Sequence, residues 1–131
     1  MASVFSRIIS GEIPSFKIAE DDKHMAFLDI SPLSKGHTLV VPKKEIDYVF
    51  DIESEDYIVL FSFTKKVASA LKKSLACKRV CLVVLGFEVP HAHIHLIPSN
   101  SERDVNFNNP KLKFSNEEML QIAKSISQNF E

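Results

Sequence analysis

Only three glycines and two cysteines occur in 131 residues, and neither sign of charge dominates, with 16 basic against 17 acidic side chains. With six prolines beside the three glycines, collagen-like and low-complexity chains are excluded. Runs such as Tyr57 to Thr64 and Val80 to Phe87 fall far short of the roughly 20 apolar residues a spanning helix needs, so no membrane partner is expected. A formal net charge of −1 gives no basic surface to displace counterions from a phosphate backbone, so no nucleic-acid partner is expected. Cys77 and Cys81 lie four apart without a CxxC partner pair and read as reduced, packed thiols. The opening MASVFSRIISGEIP lacks the apolar stretch of a secretory signal, and a cytoplasmic setting follows as the expectation. What remains is 45% hydrophobic and 25% charged residues, enough for one domain over 1–131 whose core needs neither disulfide nor structural metal.

The apolar pattern predicts alternating element types. Ser3 caps a short helix with Phe5, Ile8 and Ile9 at helical spacing, and Gly11 stops it. Phe16 to Ala19 and Met25 to Asp29 read as a hairpin across a polar turn, with His24 exposed in that turn. In its second arm Met25, Phe27 and Asp29 share one face. His37-Thr38-Leu39-Val40-Val41-Pro42 reads as a third strand with His37, Leu39 and Val41 on one side. Leu60, Phe63, Val67, Leu71 and Leu75 form the stripe of a long helix from Ser54 to about Leu75. Val80 to Leu85, apolar throughout, reads as a strand covered on both faces, by that helix and by a second subunit. Residues 99–114 show no periodicity and read as a long loop of the kind that forms lids. Beyond it, Ser115 and Glu118 make a capping box for a helix carrying Met119, Ile122, Ala123, Ile126 and Phe130.

Three of the five histidines fall at 91, 93 and 95. On a strand running through HAHIHLIP they stand in one row, while Ala92, Ile94 and Leu96 face the core. Three such side chains sharing a face weigh against packing as their whole role. Two chemistries are open. His91 and His95 stand about 13 Å apart along a strand, too far for all three rings to hold one zinc ion at about 2.0 to 2.1 Å, but a pair together with His37 could do so. Alternatively, neutral imidazole attacks phosphorus while flanking rings donate to its oxygens, which needs no metal or other cofactor.

The run His91-Ala92-His93-Ile94-His95-Leu96-Ile97 resembles the signature of the histidine triad family. VFSRIISGEIP, AEDD, AFLDISP and GHTLVVPKK extend the likeness in order from Ser3 to Pro98, leaving residues 99–131 unmatched, and look most like the Hint branch of nucleoside phosphoramidases. The resemblance implies an α+β fold with about five largely antiparallel strands and a long helix, paired as a homodimer into one continuous sheet. It implies His93 as the nucleophile that forms and releases a nucleotidyl intermediate, with His91 and His95 orienting it and contacting phosphate and His37 completing the polar network. Asp29 is then the ribose ligand, and Phe5, Ile8, Phe27 and Ile30 are the base-pocket walls. Apolar walls with few polar contacts imply tolerance among purines, so the expected substrate is a purine nucleotide or nucleoside phosphoramidate.

One segment departs from the family pattern. Leu85-Gly86-Phe87-Glu88-Val89-Pro90 is shorter than the usual turn, and Leu85, Phe87 and Glu88 replace its polar side chains. Amides of Glu88 and Val89 can still face phosphate, since amide donation is independent of side-chain type, whereas the Glu88 carboxylate would repel a nucleotide unless protonated or turned away, or would instead help select a cationic leaving group such as a lysyl amine. Two other functions fit the same residues: hydrolysis of dinucleoside polyphosphates, which needs a second cleft, and a nucleotide-binding regulatory module with little turnover.

Overall fold

Periodicity and caps become elements at nearly the expected places. The computed structural model describes residues 2–131. Helix α1 (Val4–Ile9) begins at Ser3, whose side chain accepts from the Ser6 amide, and the chain leaves it through Gly11 at φ +86°. Strands β1 (Lys17–Glu20), β2 (His24–Leu28) and β3 (Thr38–Pro42) follow. Helix α2 (Ser54–Ser74) leads to β4 (Arg79–Val83) and β5 (Ile94–Ser99), and α3 (Asn116–Gln128) closes the chain behind its Ser115–Glu118 capping box.

The sheet runs β1-β2-β3-β5-β4 with every neighbouring pair antiparallel, the α+β arrangement expected. Alternation then sorts side chains to two faces. Ile18, Ala26, Leu28, Val40, Ile94 and Leu96 pack with the stripes of α2 and α3 into one apolar cluster. Met25, Phe27, Leu39 and Val41 point the other way, where α1 covers them through Phe5, Ile8 and Ile9, with Val89 beside it. Gly36, at φ +89°, enters β3 in a conformation that L side chains rarely adopt, and an added Cβ there would run into the Leu75 side chain.

Four expectations change. The histidine strand starts at Ile94, not His91: its pairing with β3 ends at Val40↔Ile94 and with β4 at Val83↔His95. Beyond those pairs Pro42 has no N–H to offer, and the Ala92 amide turns instead to the Ile46 carbonyl at 2.6 Å. The apolar segment Val80 to Leu85 is shorter as a strand and lies at the sheet edge, leaving Leu82 and Leu85 exposed. His24 is buried, not exposed; it opens β2, accepts the company of Asp21 at Nδ1 and stacks on Phe63 with ring centroids 5.0 Å apart. The long loop contains a 3-10 turn over Glu102–Val105 and is tied down where the Leu112 amide donates to the Pro32 carbonyl at 2.9 Å. Both cysteines are free and half-buried.

Candidate active site

The thinly covered face of the sheet holds a cavity of about 550 Å³. β2 delivers Phe27 to it and the residues just beyond deliver Asp29 and Ile30; α1 supplies Phe5 and Ile8; the segment before β3 supplies His37. His93, His95, Glu88 and Val89 come from β5 and its approach. Phe27 and Phe5 are buried, with ring centroids 5.8 Å apart, while Ile30 is 77% exposed and stands at the rim. Glu88 is exposed, and among the described residues neither its amide nor that of Val89 is engaged in a backbone hydrogen bond. His91 is the predicted site residue that the cavity does not include.

The hydrogen bonds assign the proton positions. His93 Nδ1 lies 2.8 Å from the His91 carbonyl oxygen, which only accepts, so Nδ1 carries the proton and a neutral His93 ring keeps its lone pair on Nε2. That carbonyl is available because His91 precedes the ladder of β5. The Leu33 amide donates to His37 Nδ1 at 3.0 Å, so His37 has its proton on Nε2 and gives it to His95 Nδ1, also at 3.0 Å. The neutral His95 ring is thereby left with its proton on Nε2, a donor toward the cavity. Burial is the first cause that pushes His37 down to about 3, aided by His95 and Lys111. Burial followed by His93 pushes His95 down to about 4. Both rings are thus neutral near pH 7. Asp29 takes the Ser31 amide on Oδ1 at 2.8 Å, and its other oxygen is 3.6 Å from His37 Nε2. With His37 neutral that contact is no ion pair. Burial raises the Asp29 carboxyl, opposed by the Ser31 amide, His93 and Lys111.

His91 departs from the expectation that it contacts phosphate. Its Nε2 donates to the Pro42 carbonyl at 2.8 Å and its Nδ1 lies 2.7 Å from Ser3 Oγ, so both nitrogens are engaged within the fold. Burial holds its imidazole below the usual range, against the opposing pulls of the Pro42 carbonyl and Glu45. The cavity also takes in residues that no motif pointed to, among them Phe107, whose ring meets His95 edge-on at 4.9 Å, and Lys111. Both sit in the aperiodic loop, where no spacing signals them.

Asp29, His37 and His95 bring their ligand atoms within 4.8 Å of one another. Two nitrogens on one tetrahedral zinc at about 2.05 Å would stand roughly 3.3 Å apart with both lone pairs directed at the ion. The His37 and His95 nitrogens are instead 3.0 Å apart and share a proton, which is the geometry of a hydrogen bond.

The model of the HIT domain matches residues 10–102, spanning the third strand, the long helix and the whole histidine run. The chain belongs to the histidine triad (HIT) family. It is 33% identical over 130 residues to an adenosine 5'-monophosphoramidase of Schizosaccharomyces pombe, covering 97% of each chain. An uncharacterized HIT-like protein of Methanocaldococcus jannaschii is 41% identical over 100 residues, 72% of this chain and 77% of that one. Among solved structures, a HIT-like protein of Bartonella henselae superposes with a TM-score of 0.84 at 31% identity, over 97% of this chain and 95% of that one. The HIT fold thus spans nearly the whole chain, and among the described residues no helix is long and apolar enough to cross a membrane.

Proposed function

We propose that this HIT protein hydrolyses purine nucleoside phosphoramidates through a nucleotidyl intermediate on His93. The observation that carries the reading is the His93 Nδ1–H bond to the His91 carbonyl, which leaves the Nε2 lone pair for the cavity. In the first step that lone pair forms the Nε2–P bond as the P–N bond breaks, and the departing amine takes a proton from solvent. The ring becomes cationic, and the carbonyl oxygen at Nδ1 stabilises that charge. His95 Nε2–H donates to a phosphoryl oxygen throughout and keeps its proton. Water then attacks phosphorus and gives up a proton to solvent as the P–O bond forms, the Nε2–P electron pair returns to His93, and the nucleotide leaves. Asp29 accepts from the ribose hydroxyls, the free amides of Glu88 and Val89 face phosphate, and Phe5, Ile8, Phe27 and Ile30 flank the base without polar contacts that would select one purine. The phosphoramidase name of the S. pombe relative supports the same reaction class.

The exposed side chains of Ile58, Leu82 and Leu85 and the open edge of β4 support pairing of two copies through α2 and β4. Sedimentation equilibrium tests that pairing, and a monomer removes it. The chemistry is tested by turnover of a fluorogenic adenosine phosphoramidate beside diadenosine triphosphate, in chelator, for wild type and His93→Ala. Chelator-resistant cleavage of the phosphoramidate, lost in the variant, is expected. Preferred cleavage of the triphosphate overturns the substrate class, and nucleotide binding with negligible turnover of either substrate overturns the enzyme.

A further inference from the structure

Behind His91, on the side away from the cavity, four groups form a hydrogen-bonded chain with a fixed direction. Glu45 Oε1 accepts from the Ser3 amide and from the Ser6 hydroxyl, each at 2.7 Å. The Ser6 hydroxyl has a single proton and gives it to Glu45, so at 3.4 Å from His91 Nδ1 it has none to donate there. His91 Nε2 donates to the Pro42 carbonyl, so Nδ1 must accept, and the hydroxyl proton of Ser3, 2.7 Å away, is the one that reaches it. The same Ser3 oxygen accepts the Ser6 amide at 3.0 Å and caps α1. One hydroxyl, both donor and acceptor, joins the helix start to the His91 ring.

We propose that Ser3, held by Glu45, is a positioning residue for the nucleophile: it clamps the His91 ring so that the His91 carbonyl presents itself to His93 Nδ1. This rests on the reading of His93 as nucleophile. The ring is fixed at both nitrogens, and the carbonyl of the same residue holds His93 at 2.8 Å. The clamp is buried, with Ser3 6% and His91 0% exposed. Inside a protein an unmatched Nδ1 would seek another donor or a proton, with the Glu45 carboxylate 4.0 Å away to pair with the resulting cation. Glu45 is itself held down to about 2, first by the Ser3 amide and then by the Ser6 hydroxyl, so it stays an acceptor near neutral pH. Because Phe5 follows on the same helix and packs against the His91 and His93 rings at 5.9 and 4.8 Å, the clamp also fixes one pocket wall against the nucleophile.

Three substitutions separate the donor from the cap. Ser3→Thr keeps both functions, Ser3→Asp keeps the cap but as a carboxylate has no proton to donate, and Ser3→Ala loses both. With the fluorogenic phosphoramidate, kcat is expected to fall roughly ten-fold in Ser3→Ala and Ser3→Asp with KM within about twofold, and to recover in Ser3→Thr. Imidazole nitrogen NMR gives an independent signature: the single Nδ1–H tautomer of His93 becomes mixed in Ser3→Ala and Ser3→Asp and is restored in Ser3→Thr. Wild-type kcat in either of the first two overturns the proposal, and so does a low kcat in Ser3→Thr, because the hydroxyl is then not what matters. Activity surviving in His93→Ala instead places the failure in the proposed function, not in the clamp.

Discussion

On one face of the sheet sixteen buried apolar side chains from β1, β2, β3, β5, α2 and α3 form a continuous cluster, whereas on the other only five do so, four from the sheet and Phe5 from the six-residue helix α1 above them. The thick face has one histidine, His24, stacked on Phe63. His37, His91, His93 and His95 are all on the thin face, each satisfied by a backbone carbonyl, a hydroxyl, an amide or another imidazole. The difference teaches where each task is carried. Burial of Leu60, Val67 or Leu71 contributes about 1.5 to 3 kcal/mol apiece, so the thick face supplies cohesion without chemistry. The thin face has room for a ligand because so little covers it, and hydrogen bonds do there what packing does opposite.

A paired substitution is the strongest attempt to break that division. His93→Ala is expected to lower turnover by about 10³-fold or more, at least about 4 kcal/mol of barrier, with the thermal midpoint moving only a few degrees. Leu71→Ala, fully buried on α2, should do the reverse, removing about 2 to 5 kcal/mol of stability while kcat per folded molecule holds. Denaturant titration beside the phosphoramidate assay measures both. Equal losses of activity and stability in either variant would show that the two faces are one unit.

A second, smaller effect sharpens the contrast through pH. His37 and His95 titrate in the unfolded chain near 6.5 but only at about 3 and about 4 in the folded one. Between those limits the unfolded state binds protons that the folded state refuses, so stability falls as pH falls. At pH 5 each histidine contributes on the order of 2 kcal/mol of that loss, and less than the sum for both because they share a hydrogen bond. Asp29 has the opposite sign, since a raised carboxyl favours the folded state as pH falls. Thermal melts at pH 7 and pH 5 test the balance. A lower midpoint at pH 5 that flattens in His37→Gln is expected, and an unchanged midpoint in the wild type shows that the thin face does not hold its rings neutral.

Legibility in the sequence follows the same divide. The stripes of α2 and α3, the capping box at Ser115 and the two-sided alternation of β2 and β3 are local signals, and each formed within a residue or two of its expected place. His37 and Asp29 were findable because they sit beside a motif. The start of β5 was not: HAHIHLIP alternates to its first residue, and pairing ends where β3 reaches Pro42 and β4 stops at Val83, which are facts about other segments. His24 was misread from its charged neighbours Asp22 and Lys23, whereas its burial depends on Phe63, far along the chain. Ser3 was legible as a cap, but its bond to His91 joins residues 88 apart. Nonlocal contacts, on the thick face at His24 and on the thin face at His91, are what composition and period do not encode.

Phe107 offers the finest test, because it belongs to the part of the thin cover contributed by the loop that follows the matched HIT domain. Its half-buried ring lies against His95 at 4.9 Å and His37 at 6.2 Å and screens both from water. Phe107→Ala removes that screen without removing a hydrogen bond, so both imidazoles should become easier to protonate and the acid sensitivity of folding should shrink. At pH 7 the stability loss is expected to stay near 1 kcal/mol, below that of Leu71→Ala, because a ring at the edge of solvent leaves no closed cavity behind. Melts at pH 7 and pH 5 on this variant, set against wild type, read the difference directly. A loss as large as that of Leu71→Ala would mean that the loop is part of the cohesive core, and the contrast between a packed face and a hydrogen-bonded one would then have to be redrawn to include it.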